Sequence, residues 1–492
     1  MDDAFLNDDW RINSGLTLNA GLRWEFASPF TELQNRLVNL DIAPNFIAAS
    51  PILASSPAGA FTGQNYPSSL LRPDYRGIEP RIGIAWRPRP ASPLVIRAGY
   101  GVYDNTSVYQ LLATQLAQQP PLSKTLSIQN SAASPLTLAS AFNVAPTSTP
   151  NTFAVDPNFR VGYAQNWNLS VQQDLPASLT MTVTYLGTKG TRLMQEFLPN
   201  TFPLGAVNPC PSCPTGFVYF DSNANSIRHS GQIQLRRRLR DGLTATLQYT
   251  YAKSLDDAST FSGAGLTTAS TSAASSGAPA SPGSAIGTVA NAVSPASASI
   301  AQNWLNLDAE RAPSTFDQRH LVNFQLQYTS GEGLRAGALL RGWAGSLLRE
   351  WTFTAQLTAG SGLPLTPVYL TNVTGTGFVG TIRPNYTGAS IDAAPAGLFL
   401  NPSAYTAPAP GQWGNAGRDS ITGPSQFGLN GSIGRTFRIG SRLNADWRMD
   451  ATNALNVVTY TAWSTTVNSP LFGLPTQANA MRKLQTTLRV RF

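Results

Sequence analysis

Apolar and polar residues alternate with a period of two over long stretches of this chain. From Arg442 to Ala454, Leu443, Ala445, Trp447, Met449 and Ala451 fall on one face and Asn444, Asp446, Arg448 and Asp450 on the other. Trp167, Leu169 and Val171 oppose Asn166, Asn168 and Ser170, and Leu179, Met181, Val183 and Tyr185 oppose Thr180, Thr182 and Thr184. The same pattern returns with Leu247, Tyr249 and Tyr251 against Gln248 and Thr250, and with Val322, Phe324 and Leu326 against Asn323, Gln325 and Gln327. Such alternation marks a strand held between two different surroundings. The polar partners are mainly neutral amides and hydroxyls, which suit a wet lumen better than a solvated exterior, where Lys and Glu would dominate.

About thirteen such segments occur, centred near residues 5–13, 15–27, 79–88, 94–105, 163–174, 178–188, 228–239, 243–253, 319–329, 349–361, 425–437, 442–454 and 480–492. Each is long enough for a tilted strand to cross a bilayer. Their connections alternate between tight turns, such as Asn13-Ser14-Gly15 and Arg240-Asp241-Gly242, and long loops of roughly 25 to 65 residues that compact soluble domains rarely tolerate. The fold class expected is therefore all-β: a transmembrane antiparallel β-barrel with short periplasmic turns and long external loops. Residues 254–318 form an Ala/Ser/Gly-rich external loop whose composition buries little, with milder bias at 45–70, 131–158 and 363–424. The stretch 330–348 is the one long periplasmic connection, read as a turn or a short amphipathic element. Thirteen is odd, whereas bacterial single-chain barrels have even strand numbers, so further strands are expected upstream.

Composition supports that frame. Charged residues are 12% of the 492, about half the usual share, while apolar content is 42%. The net charge of +8 is spread along the chain, with one dense cluster at Arg236, Arg237, Arg238 and Arg240, so a nucleic-acid surface is not expected. No apolar run reaches the ~18 residues of a membrane helix. The start, Met-Asp-Asp-Ala-Phe, does not resemble a signal peptide, so an export signal is expected upstream and the chain is expected to be a fragment.

Candidate chemistry is sparse. Cys210 and Cys213 form a C-x-x-C that could be a redox or metal pair or a local disulfide pinning an external loop. With no second pair and only two histidines, a four-ligand zinc site cannot be assembled locally, and the disulfide is the favoured reading. Asp256, Asp257, Asp308 and Glu310 match no calcium-loop spacing and read as solvated loop acids rather than cation ligands. His229 and His320 stand apart from Cys and acidic clusters, and no hydrolase, metalloprotease or P-loop motif occurs. No catalysis, cofactor or metal is expected. Arginines gather near the short turns (Arg11, Arg87, Arg89, Arg238, Arg240, Arg335, Arg435, Arg438 and Arg442), either as a belt toward phospholipid head groups or simply because turns are wet. Trp10, Trp24, Trp86, Trp351, Tyr100 and Tyr249 are candidates for interfacial girdles.

The last strand ends Leu488-Arg489-Val490-Arg491-Phe492, which resembles the terminal strand that the barrel-assembly machinery reads through a final Phe. A wider resemblance runs through Phe5-Leu6-Asn7-Asp8-Asp9-Trp10-Arg11, Leu16-Thr17-Leu18-Asn19-Ala20-Gly21-Leu22-Arg23, Gln165-Asn166-Trp167-Asn168-Leu169, Tyr185-Leu186-Gly187-Thr188-Lys189-Gly190, Tyr249-Thr250-Tyr251-Ala252-Lys253-Ser254, Asp317-Gln318-Arg319-His320 and Asn453-Ala454-Leu455-Asn456. In this order they resemble the barrel of TonB-dependent receptors, in particular the Oar-like group of Acidobacteria and Myxococcota. That resemblance implies a barrel of about twenty-two strands, of which this chain supplies the C-terminal part. It also implies an N-terminal plug and TonB box that this chain does not contain, location in the outer membrane, and import of an external ligand whose site residues cannot be carried over. The partners implied are outer-membrane lipids, the assembly machinery, an unidentified ligand, and the TonB system through the plug. A surface adhesion or structural protein that uses the barrel as an anchor is the alternative.

Overall fold

In the computed structural model the described residues are 1–89, 92–123, 152–203, 205–208, 210–214, 217–240, 242–258, 300–330, 348–371, 380–439 and 443–492. Thirteen long strands build one wall: β1 Asp2–Asn13, β2 Leu16–Phe26, β3 Gly77–Trp86, β4 Val95–Asp104, β5 Tyr163–Leu175, β6 Leu179–Phe197 and β7 Val218–Arg240. The rest are β8 Leu243–Asp256, β9 His320–Thr329, β10 Trp351–Gly360, β11 Gln426–Ile439, β12 Leu443–Thr452 and β13 Lys483–Arg491. Every neighbour in sequence is a neighbour in the sheet, and all these pairs are antiparallel. Each of the thirteen alternating segments is one of these strands.

Register turns alternation into two faces. Leu22 pairs with Pro80, Ile82 with Tyr100, Tyr100 with Trp167, and Val183 with Ile233. Directly opposed residues share a face, so the apolar set of one strand continues into the next. This face leaves its large side chains uncovered: Ile82 is 59% exposed, and Leu22, Trp86, Leu169, Ile233, Leu247 and Leu488 are exposed too. In water such a surface would be an aggregation site; against lipid tails it is the favourable arrangement. The candidate girdle residues all lie on it. Trp10, Trp86 and Trp351 stand near the short turns, and Trp24, Tyr100 and Tyr249 stand toward the long loops.

Six long connections leave from the end of the wall opposite the one at 330–348, and their described residues pack into a cap. Helix α1, Val108–Ala117, buries Tyr109, Leu112 and Leu116. They join Leu70, Phe153, Phe159, Met194, Leu198 and Phe220 in one apolar core, and Leu400, Ile421 and Phe472 centre a second. Three loops expected to bury little, 45–70, 131–158 and 363–424, therefore contribute core residues. The reason is tertiary: scattered apolar residues from separate loops meet each other, which no local periodicity announces. Most of loop 254–318, all of 131–151 and most of 330–348 lie outside the described residues. So do the side chains of Arg238, Arg240, Arg335, Arg438 and Arg442.

The wall is open. β1 and β13 are its edges and, among the described residues, do not pair with each other. Asp2 lies opposite Phe26 and Asn13 opposite Leu16, while Lys483 lies opposite Thr452 and Arg491 opposite Asn444. Both edge strands thus run from the cap toward the short turns.

Candidate functional site

Two surfaces offer themselves to a solute: the polar face of the wall and the cap above it. On the polar face, hydroxyls, amides and a guanidinium bridge neighbouring strands. Thr354 and Ser432 hydroxyls are 2.6 Å apart, Thr358 Oγ1 donates to Asn323 Oδ1 at 3.1 Å, and Arg97 Nη1 donates to Gln172 Oε1 at 3.1 Å. Paired charges also stand on this face toward the cap. Arg23 holds Asp3 at 2.9 Å and Glu25 at 3.0 Å, and Arg81 holds Glu79 at 2.7 Å. A face of hydroxyls, amides and paired charges can pass hydrated polar molecules without binding one firmly.

The cap is pinned by a buried ion network. Arg383 grips Glu310 through two parallel hydrogen bonds of 2.6 and 2.8 Å, the fork geometry of a strong Arg–carboxylate pair. Arg418 reaches Asp256 Oδ1 at 2.5 Å and Asp419 Oδ2 at 2.9 Å, and its Nε donates to the Glu310 carbonyl at 3.1 Å. Asp256 and Glu310, expected as solvated loop acids, are instead buried in these pairs, whereas Asp308 is exposed. Sequence patterns could not reveal Arg383 and Arg418, because Arg418 lies 162 positions from Asp256.

A second hub is Asp41, fully buried in the hairpin between β2 and β3. Its carboxylate accepts from the Phe61 and Thr62 amides at 2.7 and 3.0 Å, from Thr62 Oγ1 at 2.6 Å and from the Tyr66 hydroxyl at 2.7 Å. Burial pushes this carboxyl up, but the hydrogen bonds from Thr62, Phe61 and Tyr66 outweigh it and hold it below its ordinary value.

Strands β6 and β7 run 19 and 23 residues, about twice what a crossing takes, so their outer halves stand above the membrane inside the cap. Glu196, in that outer part of β6, pairs in register with Phe220 and Ile300, both at the first apolar core. Neither of its carboxylate oxygens has a hydrogen-bond partner among the described residues, and burial pushes its carboxyl up to about 7. A cavity of about 410 Å³ opens at the rim of the wall, lined by Ile78, Tyr100, Asp104, Tyr163 and Arg192 among others.

Cys210 and Cys213 are joined by a disulfide, with Cα atoms 5.3 Å apart, in the loop between β6 and β7. His229 and His320 do not meet. Each stands on the apolar face beside a tyrosine: Tyr185 Oη lies 2.8 Å from His229 Nδ1, and Tyr249 Oη lies 2.8 Å from His320 Nδ1. Arg435 stacks over Trp351 and Phe437, with its guanidinium 5.6 and 4.8 Å from the ring centres. Phe492 follows the last strand and is fully exposed. Among the described residues no three His, Cys, Asp or Glu side chains are grouped to hold a metal ion.

The chain, whose wall has one exposed apolar face, one polar face and a loop cap at one end, matches the family model of the outer membrane beta barrel domain over residues 1–485. The chain belongs to that family. It is a protein of the cell outer membrane, and it crosses with strands. It is similar in structure to the outer membrane transporter YddB from Escherichia coli, with TM-score 0.45, 11% identity, and coverage of 96% of this chain and 45% of YddB. The siderophore receptor PiuA from Acinetobacter baumannii gives TM-score 0.42 and 10% identity over 99% of this chain and 42% of PiuA. The FrpB iron transporter from Neisseria meningitidis gives TM-score 0.41 and 9% identity over 100% of this chain and 44% of FrpB. The chain spans less than half the length of each. No curated protein matches it.

Proposed function

We propose that this chain is the C-terminal part of a TonB-dependent, Oar-like receptor that captures an external ligand with its cap and admits it along the polar face. The observation that carries this reading is the open wall with a polar face. A bilayer does not tolerate a free strand edge, because unpaired backbone groups in hydrocarbon cost several kcal/mol each. Since β1 and β13 run in the same direction, an all-antiparallel closure needs an odd number of further strands between them. A barrel of about twenty-two strands, as the resemblance implies, supplies nine. Its lumen would hold a plug, and the polar face met by that plug would be the ligand's path.

The first test is the size of the native polypeptide in an outer-membrane fraction, detected with antibody against residues 480–492. A species well above 52.5 kDa is expected. A species at 52.5 kDa would remove the plug, and with it energised import, and would leave a membrane anchor for adhesive loops as the better reading.

A further inference from the structure

The outer rim of the apolar face across β5 to β9 differs from the rest of the wall. Read from the short turn outward, the apolar positions of β6 are Leu179, Met181, Val183, Tyr185 and then Lys189. Those of β8 are Leu243, Ala245, Leu247, Tyr249, Tyr251 and then Lys253. Both strands pass from aliphatic to aromatic to cationic. Lys253 lies ten residues beyond Leu243; at about 3.4 Å per residue and a tilt near 40° that places it about 25 Å above the inner edge, the height of the apolar band. The lysines therefore sit where lipid tails end and outer-leaflet head groups begin.

The two ladders converge on one patch. His229 lies directly opposite Lys253, and His320 opposite Tyr251. Trp167 lies over Gly187, where an added Cβ would collide with its indole ring, and its ring centre is 6.0 Å from that of His229. Lys189, Lys253, His229, His320, Tyr185 and Tyr251 are all exposed. None of the outward positions of β5 to β9, from Tyr163 to Leu175, Leu179 to Lys189, Ile227 to Arg237, Leu243 to Lys253 and His320 to Tyr328, carries a carboxylate. The chain has only four lysines among 34 basic residues, and two stand here.

We propose that this patch is a docking surface for a phosphorylated glycolipid of the outer leaflet. Lysine ammoniums bind phosphate as point charges. Tyrosine, histidine and tryptophan rings offer sugar both flat faces and hydrogen-bonding tips, and the aliphatic rows beneath receive acyl chains. From strand spacing, Lys189 and Lys253 are about 12 Å apart, the span of a disaccharide phosphorylated at each end. A single-phosphate phospholipid engages only one of the two. The proposal rests on the orientation of the wall in the membrane and not on the transport reading, so the two stand or fall separately.

The test is native mass spectrometry of the intact protein in mild detergent, titrated with an acylated, bis-phosphorylated glucosamine disaccharide. Its dephosphorylated form and phosphatidylglycerol are the comparisons. The bis-phosphorylated lipid is expected to bind at least tenfold more tightly than either. The double variant Lys189→Gln/Lys253→Gln should lose about thirtyfold, which corresponds to about 1 kcal/mol for each basic residue at an anionic surface. Lys189→Arg/Lys253→Arg should retain binding. Both side chains are exposed, and unchanged strand content by circular dichroism verifies the fold. Equal binding of phosphatidylglycerol, or an unchanged affinity in the Gln variant, overturns the proposal.

Discussion

The wall and the cap of this protein obey opposite rules of burial. In the wall, large apolar residues such as Phe5, Ile82 and Leu488 are exposed, and hydroxyls and amides face inward. In the cap, Leu70, Leu112 and Leu400 are wholly buried, and buried charge is met either by a counter-charge, as in Arg383 with Glu310, or by converging hydrogen-bond donors, as at Asp41. One chain thus folds against two solvents. The hydrophobic effect that builds the cap core in water gives the wall no gain from hiding its apolar face, because lipid tails are as apolar as leucine. What holds the wall instead is its ladder of backbone hydrogen bonds between neighbouring strands, which stops at the two edges.

The sharpest way to break this contrast is to remove charge from the cap interior. Arg418→Ala would strand the Asp256 and Asp419 carboxylates inside the cap, and truncating one partner of a buried pair costs about 3–5 kcal/mol. Limited proteolysis should then open the cap while the wall's strand signal persists; equal resistance in variant and parent would mean that the network does not pin the loops.

Next in size is the wall's outward face. Ile82→Arg, near the middle of β3, should cost about 2–4 kcal/mol in bilayer refolding titrations. Asn168→Arg, on the polar face of β5, should stay within about 0.5 kcal/mol. Comparable costs at the two positions would erase the distinction between the faces.

Glu196 sharpens the contrast from within the cap. Its carboxyl is raised by burial from 4.5 to about 7, so the folded cap holds the proton more tightly than the unfolded chain. The stability this contributes is complete below about pH 4.5 and is lost as pH rises through about 7. Glu196→Gln should therefore stabilise the cap above pH 7, by something of the order of 3 kcal/mol or less, and leave it unchanged near pH 4. Denaturant melts of the cap at both pH values measure this, and a pH-independent difference would contradict it.

The smallest effect belongs to the disulfide. Cys210 and Cys213 close a loop with a sequence separation of 3, and so short a loop removes little unfolded-state entropy, at most about 2 kcal/mol. Reduction should lower cap stability slightly and leave the wall unaffected in the same melts. A collapse of the cap on reduction would show that the bridge, and not the buried arginines, is its main fastening.

The wall was legible in the sequence because a strand between lipid and lumen must alternate, and that pattern is local. Trp167, Leu169 and Val171 announce their face without knowledge of any neighbour. The cap was not legible for the opposite reason. Arg383 and Glu310 are far apart in sequence, and Leu400 and Phe472 come from different loops. Only α1 left a local trace, since Tyr109, Leu112 and Leu116 fall at helical spacing. The outward histidines were visible as isolated residues, but their tyrosine partners emerged only once strand register was known.

The most direct measurement is cysteine accessibility in intact outer membranes. Cys210 and Cys213 are paired and leave no free thiol, so single cysteines placed along β3 and β5 report alone. At Ile82, Ile84 and Leu169 the thiol should react only with a lipid-soluble maleimide. At Gly83, Asn166 and Asn168 it should react with a water-soluble one, so that labelling alternates residue by residue. Uniform labelling of both sets by the water-soluble reagent would contradict a wall with one face in lipid and one in water.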